Sequence, residues 1–86
     1  MNQIENQLFD IWKEVLEIDS FSIEDNFFEL GGTSANIILL NDLISTKYPD
    51  KIKITDIFSN PTIKNLSILI SQRTGQDNIN KETFKF

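Results

Sequence analysis

Two of the side chains most used in protein chemistry are missing from this 86-residue chain, which has no cysteine and no histidine. Without cysteine there is no disulfide framework, no thiolate metal site and no catalytic thiol, and the redox compartment stays undetermined. Without histidine the commonest general base and the commonest metal ligand are gone as well, so no active site built from this chain alone is expected. Long apolar runs are also missing. No stretch approaches the roughly 20 residues that span a bilayer, and the start of the chain lacks a basic segment followed by an apolar one. A cytoplasmic protein with no membrane partner is the expectation. Basic residues are scarce at the front: residues 1–34 hold eight acidic side chains against Lys13 alone, whereas residues 35–86 hold five acidic and seven basic, for a net charge of −5. That balance disfavours nucleic acid and suits basic protein surfaces, although charge alone equally fits a merely solvated face.

What is present suits one small hydrophobic core. A length of 86 residues makes a single domain near the lower limit for an unstapled core, and 40% apolar content is enough to build it. Asn2 followed by Glu5 reads as a capping box opening a first helix. Ile4, Leu8, Ile11, Trp12 and Val15 then recur at helical spacing, with Glu5, Asp10, Lys13, Glu14 and Glu17 on other faces, so that Trp12 is a core residue. Between Ile18 and Thr33 lies a connection of about fifteen residues, long for a compact domain. Phe21, Ile23, Phe27, Phe28 and Leu30 give it too much apolar surface for a free loop, so several of them should pin it to the helices. Asp25 and Asn26 are its turn formers.

The second helix should run from Ser34 or Ala35 to about Tyr48, stopped by Pro49. Ile37, Leu40, Ile44 and Tyr48 form one stripe, widened by Leu43, which leaves Ala35, Ile38 and Leu39 for an exposed apolar patch on which partners would dock. Ile52-Lys53-Ile54 alternates like a strand but has nothing to pair with. A short helical turn from Thr55 to Ser59 should follow, capped by Thr55 or entered through Lys53 and Ile54, with Ile54, Ile57 and Phe58 facing the core. Thr62 caps a last helix whose apolar face is Ile63, Leu66, Leu69 and Ile70, and Gly75 is the expected stop. Residues 76–86 read as a tail or linker, with Phe84 and Phe86 as candidates for docking on the domain. The expected fold is all-α: a small four-helix bundle, three main helices plus one short one, with a long structured loop between the first and second helices.

Chemistry concentrates at Phe27-Phe28-Glu29-Leu30-Gly31-Gly32-Thr33-Ser34. The aromatics and Leu30 anchor the loop, the glycines allow a tight turn and an unobstructed approach, and Ser34 falls at a helix N-terminus. Backbone N–H groups there lack intrahelical acceptors and the helix dipole is positive, so a phosphate bonded to the Ser34 oxygen would be well placed. Thr33 or Ser34 as a plain N-cap is the simpler alternative for those two residues taken alone.

These eight residues resemble the phosphopantetheine attachment motif of the acyl carrier superfamily, in particular the peptidyl carrier proteins (thiolation domains) of nonribosomal peptide synthetases. The resemblance runs from about Leu8 to Ile70 and returns at Phe58-Ser59-Asn60-Pro61-Thr62, similar to the family's lead into its last helix. It departs at Thr33, often His or Asp in the family, and at Ala35, usually a larger aliphatic residue. It implies a right-handed four-helix carrier domain over residues 1–75, with 4'-phosphopantetheine from coenzyme A attached covalently to Ser34, and Gly32, Thr33, Ala35, Ile38 and Leu39 meeting partners. Those partners would be a phosphopantetheinyl transferase, an adenylation enzyme, and condensation, tailoring or thioesterase enzymes. The domain would be a non-catalytic monomer carrying aminoacyl or peptidyl groups as thioesters. The starting Met1 and short tail suggest a stand-alone protein or a terminal domain. A polyketide or fatty-acyl carrier is the alternative within the superfamily, and an unmodified helical interaction module the alternative outside it. A hydrolase using Ser34 is disfavoured, because no base is placed to activate the hydroxyl.

Overall fold

The computed structural model describes residues 1–74, and among these the only regular elements are four helices: α1 (Gln3–Leu16), α2 (Ser34–Lys47), α3 (Ile54–Ser59) and α4 (Ile63–Thr74). The expected stop at Gly75 and the tail 76–86, with Phe84 and Phe86, lie outside the described residues. α1 starts as the sequence indicates. The Glu5 N–H donates to Asn2 Oδ1 at 2.7 Å and the Asn2 N–H to Glu5 Oε1 at 3.0 Å, satisfying donors that the first turn leaves over. The helix ends at Glu17, which takes a left-handed conformation (φ 57°, ψ 41°) and donates its N–H to the Lys13 carbonyl at 2.8 Å.

Ile4, Leu8, Ile11, Trp12 and Val15 are all buried, and Leu8 and Trp12 are fully enclosed. They meet Ile37, Leu40 and Ile44 of α2 and Ile63, Leu66 and Ile70 of α4 in one cluster, completed by Phe27, Ile52 and Ile57. α1 packs on both α2 and α4, and α2 packs on α3. Each fully buried aliphatic side chain contributes about 1.5–3 kcal/mol, so the cluster is the main source of stability. Tyr48, half-buried where α2 ends before Pro49, donates its hydroxyl to Gln7 Oε1 and ties that end of α2 to α1.

The long loop is held from both sides. Phe27 is fully buried, edge-on to Trp12 at 5.4 Å between ring centroids, and its N–H donates to the Pro61 carbonyl at 2.7 Å. Phe21 stacks on Phe9 at 4.3 Å, and the Lys64 N–H donates to the Ile23 carbonyl at 3.0 Å. The turn formers act as expected: Asp25 Oδ2 accepts from the Ser22 N–H, and Asn26 Oδ1 from the Phe28 N–H, both at 2.8 Å.

One expectation about α3 fails. The helix is entered through Lys53 and Ile54, one of the two starts the sequence allows, but of Ile54, Ile57 and Phe58 only Ile57 is buried; Ile54 is 38% and Phe58 46% exposed. Six residues make less than two turns, and with Ile57 turned inward its neighbour Phe58 points elsewhere. At the start of α4, Thr62 Oγ1 accepts the Asn65 N–H at 3.1 Å, as a cap should.

Candidate functional site

Thr33 is the N-cap of α2. Its Oγ1 accepts the Asn36 N–H at 3.2 Å, and its own N–H donates to Asn36 Oδ1 at 3.0 Å. These two residues make the capping box, so Ser34, the first residue of the helix, is not required for it. Ser34 is exposed. Its hydroxyl projects at the positive end of a fourteen-residue helix, where first-turn N–H groups have no intrahelical acceptor.

The two glycines ahead of it do different things. Gly31 has φ 105°, which side-chain-bearing residues rarely adopt, and the space around its α-carbon is open. Gly32 faces inward: a β-carbon there would lie 2.2–2.3 Å from the Phe27 ring. The Gly32 N–H also donates to the Phe27 carbonyl at 3.0 Å, which closes the turn onto the buried ring. The packing of Phe27 therefore sets the path of the backbone into Ser34.

Ala35, Ile38 and Leu39 are exposed, Ile38 at 56% and Leu39 at 46%, while Ile37 and Leu40 between and beside them are fully buried. Ser34 and Ile38 are four residues apart and so share a helix face, as do Ala35 and Leu39. The structure thus brings the serine and the apolar patch together on the outward side of α2. It also exposes an aromatic pair that the sequence alone places elsewhere, Phe28 against the helices and Phe58 in the core. Phe28, 37% exposed, stacks on Phe58 of α3 with ring centroids 5.7 Å apart and planes 22° from parallel. Position 28 belongs to the turn that leads to the serine, its carbonyl accepting the Gly31 N–H at 3.1 Å. Only the recurrence of apolar residues at Ile54 and Phe58, one helical turn apart, could have signalled this face in the sequence.

No sequence motif signals a second feature. Arg73, near the end of α4, grips Asp56 of α3 with two N–H groups, at 2.7 and 3.4 Å, and donates to the Lys51 carbonyl at 2.9 Å. Lys51 Nζ returns a bond to the Arg73 carbonyl at 3.1 Å. The Arg73 fork holds the Asp56 carboxyl below the usual carboxylate range, with help from the Lys53 N–H and against partial burial. Two shallow hollows lie along α4, around Ser67, Ile68 and Ser71 and around Asn60, Asn65 and Leu69, and Ser34 lines neither. Among the described residues no cluster of acidic side chains could hold a metal ion, and no helix is long and apolar enough to cross a membrane.

Four helices around one core, with an exposed serine starting α2 after a glycine turn, make a small helical domain with an open rather than an enclosing surface at that serine. Comparison with known proteins gives that domain its family. The model of the family described as "Phosphopantetheine attachment site" matches residues 6–70, and the chain belongs to this family. Bacitracin synthase 2 of Bacillus licheniformis is 37% identical over 73 residues, 85% of this chain and 3% of that one. The peptidyl carrier protein solved with the phosphopantetheine transferase Sfp and coenzyme A superposes with a TM-score of 0.79 at 29% identity, over 84% of this chain and 94% of that one. The McyG A-PCP structure complexed with phenylalanyl-adenylate gives 0.79 at 34% identity, over 83% of this chain and 11% of that one. The chain spans about 3% of the length of the curated relatives it matches first. Family and fold together define a carrier domain whose cofactor is 4'-phosphopantetheine. The residues present fit that group: an exposed serine at a helix start, with open space at Gly31 in the turn ahead of it.

Proposed function

We propose that this chain is a peptidyl or aminoacyl carrier for nonribosomal peptide synthesis, with Ser34 as the attachment residue. The observation that carries the reading is the exposed Ser34 hydroxyl at the first residue of α2, relieved of capping by Thr33 and Asn36. The phosphate of the cofactor would be held as a diester on Ser34 Oγ, facing the unpaired N–H groups of the first turn. When bound, the group supplies a terminal thiol, which the chain itself lacks, for carrying acyl groups as thioesters.

The chain's own residues hold and present. Phe27 and Gly32 fix the turn, Thr33 and Asn36 start the helix, and among the described residues no hydrogen bond joins the Ser34 hydroxyl to a basic group. In this reading a partner supplies the base that activates the hydroxyl, and the domain itself is a non-catalytic carrier. The solved complexes of similar carriers with a transferase and beside an adenylate-binding region support those two classes of partner. Condensation, tailoring or thioesterase enzymes complete the set, meeting Gly32, Thr33, Ala35, Ile38 and Leu39 around the serine. In this reading residues 1–75 are the carrier domain and 76–86 a tail or linker, and the domain works as a cytoplasmic monomer without nucleic acid or membrane. Tethering raises the effective concentration of cargo for successive enzymes, which is the domain's functional gain.

Intact-protein mass spectrometry after incubation with coenzyme A and a broad-specificity phosphopantetheinyl transferase tests this. Wild type should gain one phosphopantetheine and Ser34→Ala none, with both equally helical by circular dichroism. An unmodified wild type would leave the helical interaction module as the better account.

A further inference from the structure

Of the four helices, α3 has the fewest buried residues. Only Ile57 of its six residues is buried, and a helix this short gains little from its own hydrogen bonds. Yet α3 carries Phe58, whose ring lies on Phe28 in the turn leading to Ser34, and Ile54, exposed on the same face. Phe28 is held independently: Phe27 beside it is buried against Trp12 and bonded to the Pro61 carbonyl, and Asn26 accepts the Phe28 N–H. The loop side of the aromatic pair is thus a fixed reference, and α3 is the side free to drift. The buried Ile57, the contact of α3 with α2 and the bond of Pro61 to Phe27 just after the helix oppose that drift, and so does the Arg73 fork on Asp56, braced by the exchange of bonds between Lys51 and Arg73.

We propose that Arg73 is a positioning residue for recognition at Ser34: from the far end of α4 it holds α3 so that Phe58 stays stacked on Phe28, making one continuous aromatic surface at the turn that leads to the serine. A guanidinium suits this task because its planar fork fixes direction as well as distance, which a lysine ammonium does not. Exposed aromatic side chains held rigid are favoured anchors for protein partners, since little side-chain freedom is left to lose on binding. The proposal rests on the carrier reading above. A partner approaching the start of α2 would meet Phe28 and Phe58 together only while the clasp is closed.

The experiment measures transfer of phosphopantetheine from coenzyme A by a purified transferase at varied carrier concentration. It compares wild type, Arg73→Gln, Phe58→Ala, the double variant, Arg73→Lys, and Val15→Ala as a core-weakened control far from the clasp. Arg73→Gln should raise KM roughly three- to tenfold with kcat nearly unchanged, the signature of lost binding that does not alter the chemical step. Arg73→Lys should restore only part of that loss. Phe58→Ala should raise KM similarly, and the double variant no further than the larger single effect, because both changes remove one shared surface. Val15→Ala, though less stable, should keep the wild-type KM. If Arg73→Gln behaves like Val15→Ala, or the two effects simply multiply, the positioning role is overturned while the carrier reading stands. If wild type itself accepts no phosphopantetheine, the carrier reading fails and this one with it.

Discussion

Gly32 shows how much one missing methyl group can decide. The nearest ring atoms of Phe27 sit where its β-carbon would go, and that ring is enclosed with Trp12, so neither neighbour has room to retreat. Gly32→Ala should lower the unfolding free energy by about 1–3 kcal/mol, the usual range for overpacking. Adding Phe27→Leu should recover part of that loss, although Phe27→Leu alone destabilises; urea denaturation of the three variants reads this directly. Glu17 presents the opposite case. It is an exposed, side-chain-bearing residue in a left-handed conformation at the end of α1. Glu17→Gly should raise stability by up to about 1 kcal/mol, seen as a higher thermal midpoint. The need for a glycine pair was legible in the sequence as a turn before a helix. That Gly32 makes room for an aromatic ring while Gly31 supplies the positive φ was not legible, because it depends on where Phe27 goes in three dimensions.

Among the elements, α1, α2 and α4 show their inward faces plainly in the sequence. Ile4, Leu8, Ile11, Trp12 and Val15 span enough turns to fix a stripe, and Ile37, Leu40 and Ile44 do the same for α2. α3 is too short for periodicity to choose a face, which is why its apolar residues suggest a core position for Ile54 and Phe58 although both lie outward. Its anchor is equally hidden, since Asp56 and Arg73 are seventeen residues apart in sequence and no local pattern links them. That anchor has a pH consequence. The Asp56 carboxyl titrates lower in the folded protein than in the unfolded chain, so its contribution is fully present above the ordinary carboxylate value of about 3.9. It is lost as pH falls through the lowered folded value. Asp56→Asn should therefore be less stable than wild type at pH 7, and the difference should shrink at strongly acid pH; urea midpoints at both pH values check the sign.

For the molecule as a whole, the proposed function makes α2 the element shared between folding and partner recognition. Its inner residues close the core, while Ala35, Ile38 and Leu39 stay outside, next to Ser34. Because Ile38 and Leu39 are about half exposed and lie outside the core, Ile38→Lys and Leu39→Lys should cost less than about 1 kcal/mol of stability, well short of a core substitution. Both should nevertheless slow modification of Ser34 by a transferase, as a charge at the centre of an apolar contact would. Unaltered rates in both variants would show that partners approach from elsewhere. The contact between Phe27 and Gly32 reaches beyond this domain, to protein engineering. Phe27, whose ring shapes the serine turn, is seated by Trp12 of α1 against that ring and by the Pro61 carbonyl ahead of α4, which accepts its backbone N–H. Moving the eight residues from Phe27 to Ser34 into an unrelated helical scaffold would leave that seat behind, so the turn keeps this shape only in a host that rebuilds both supports.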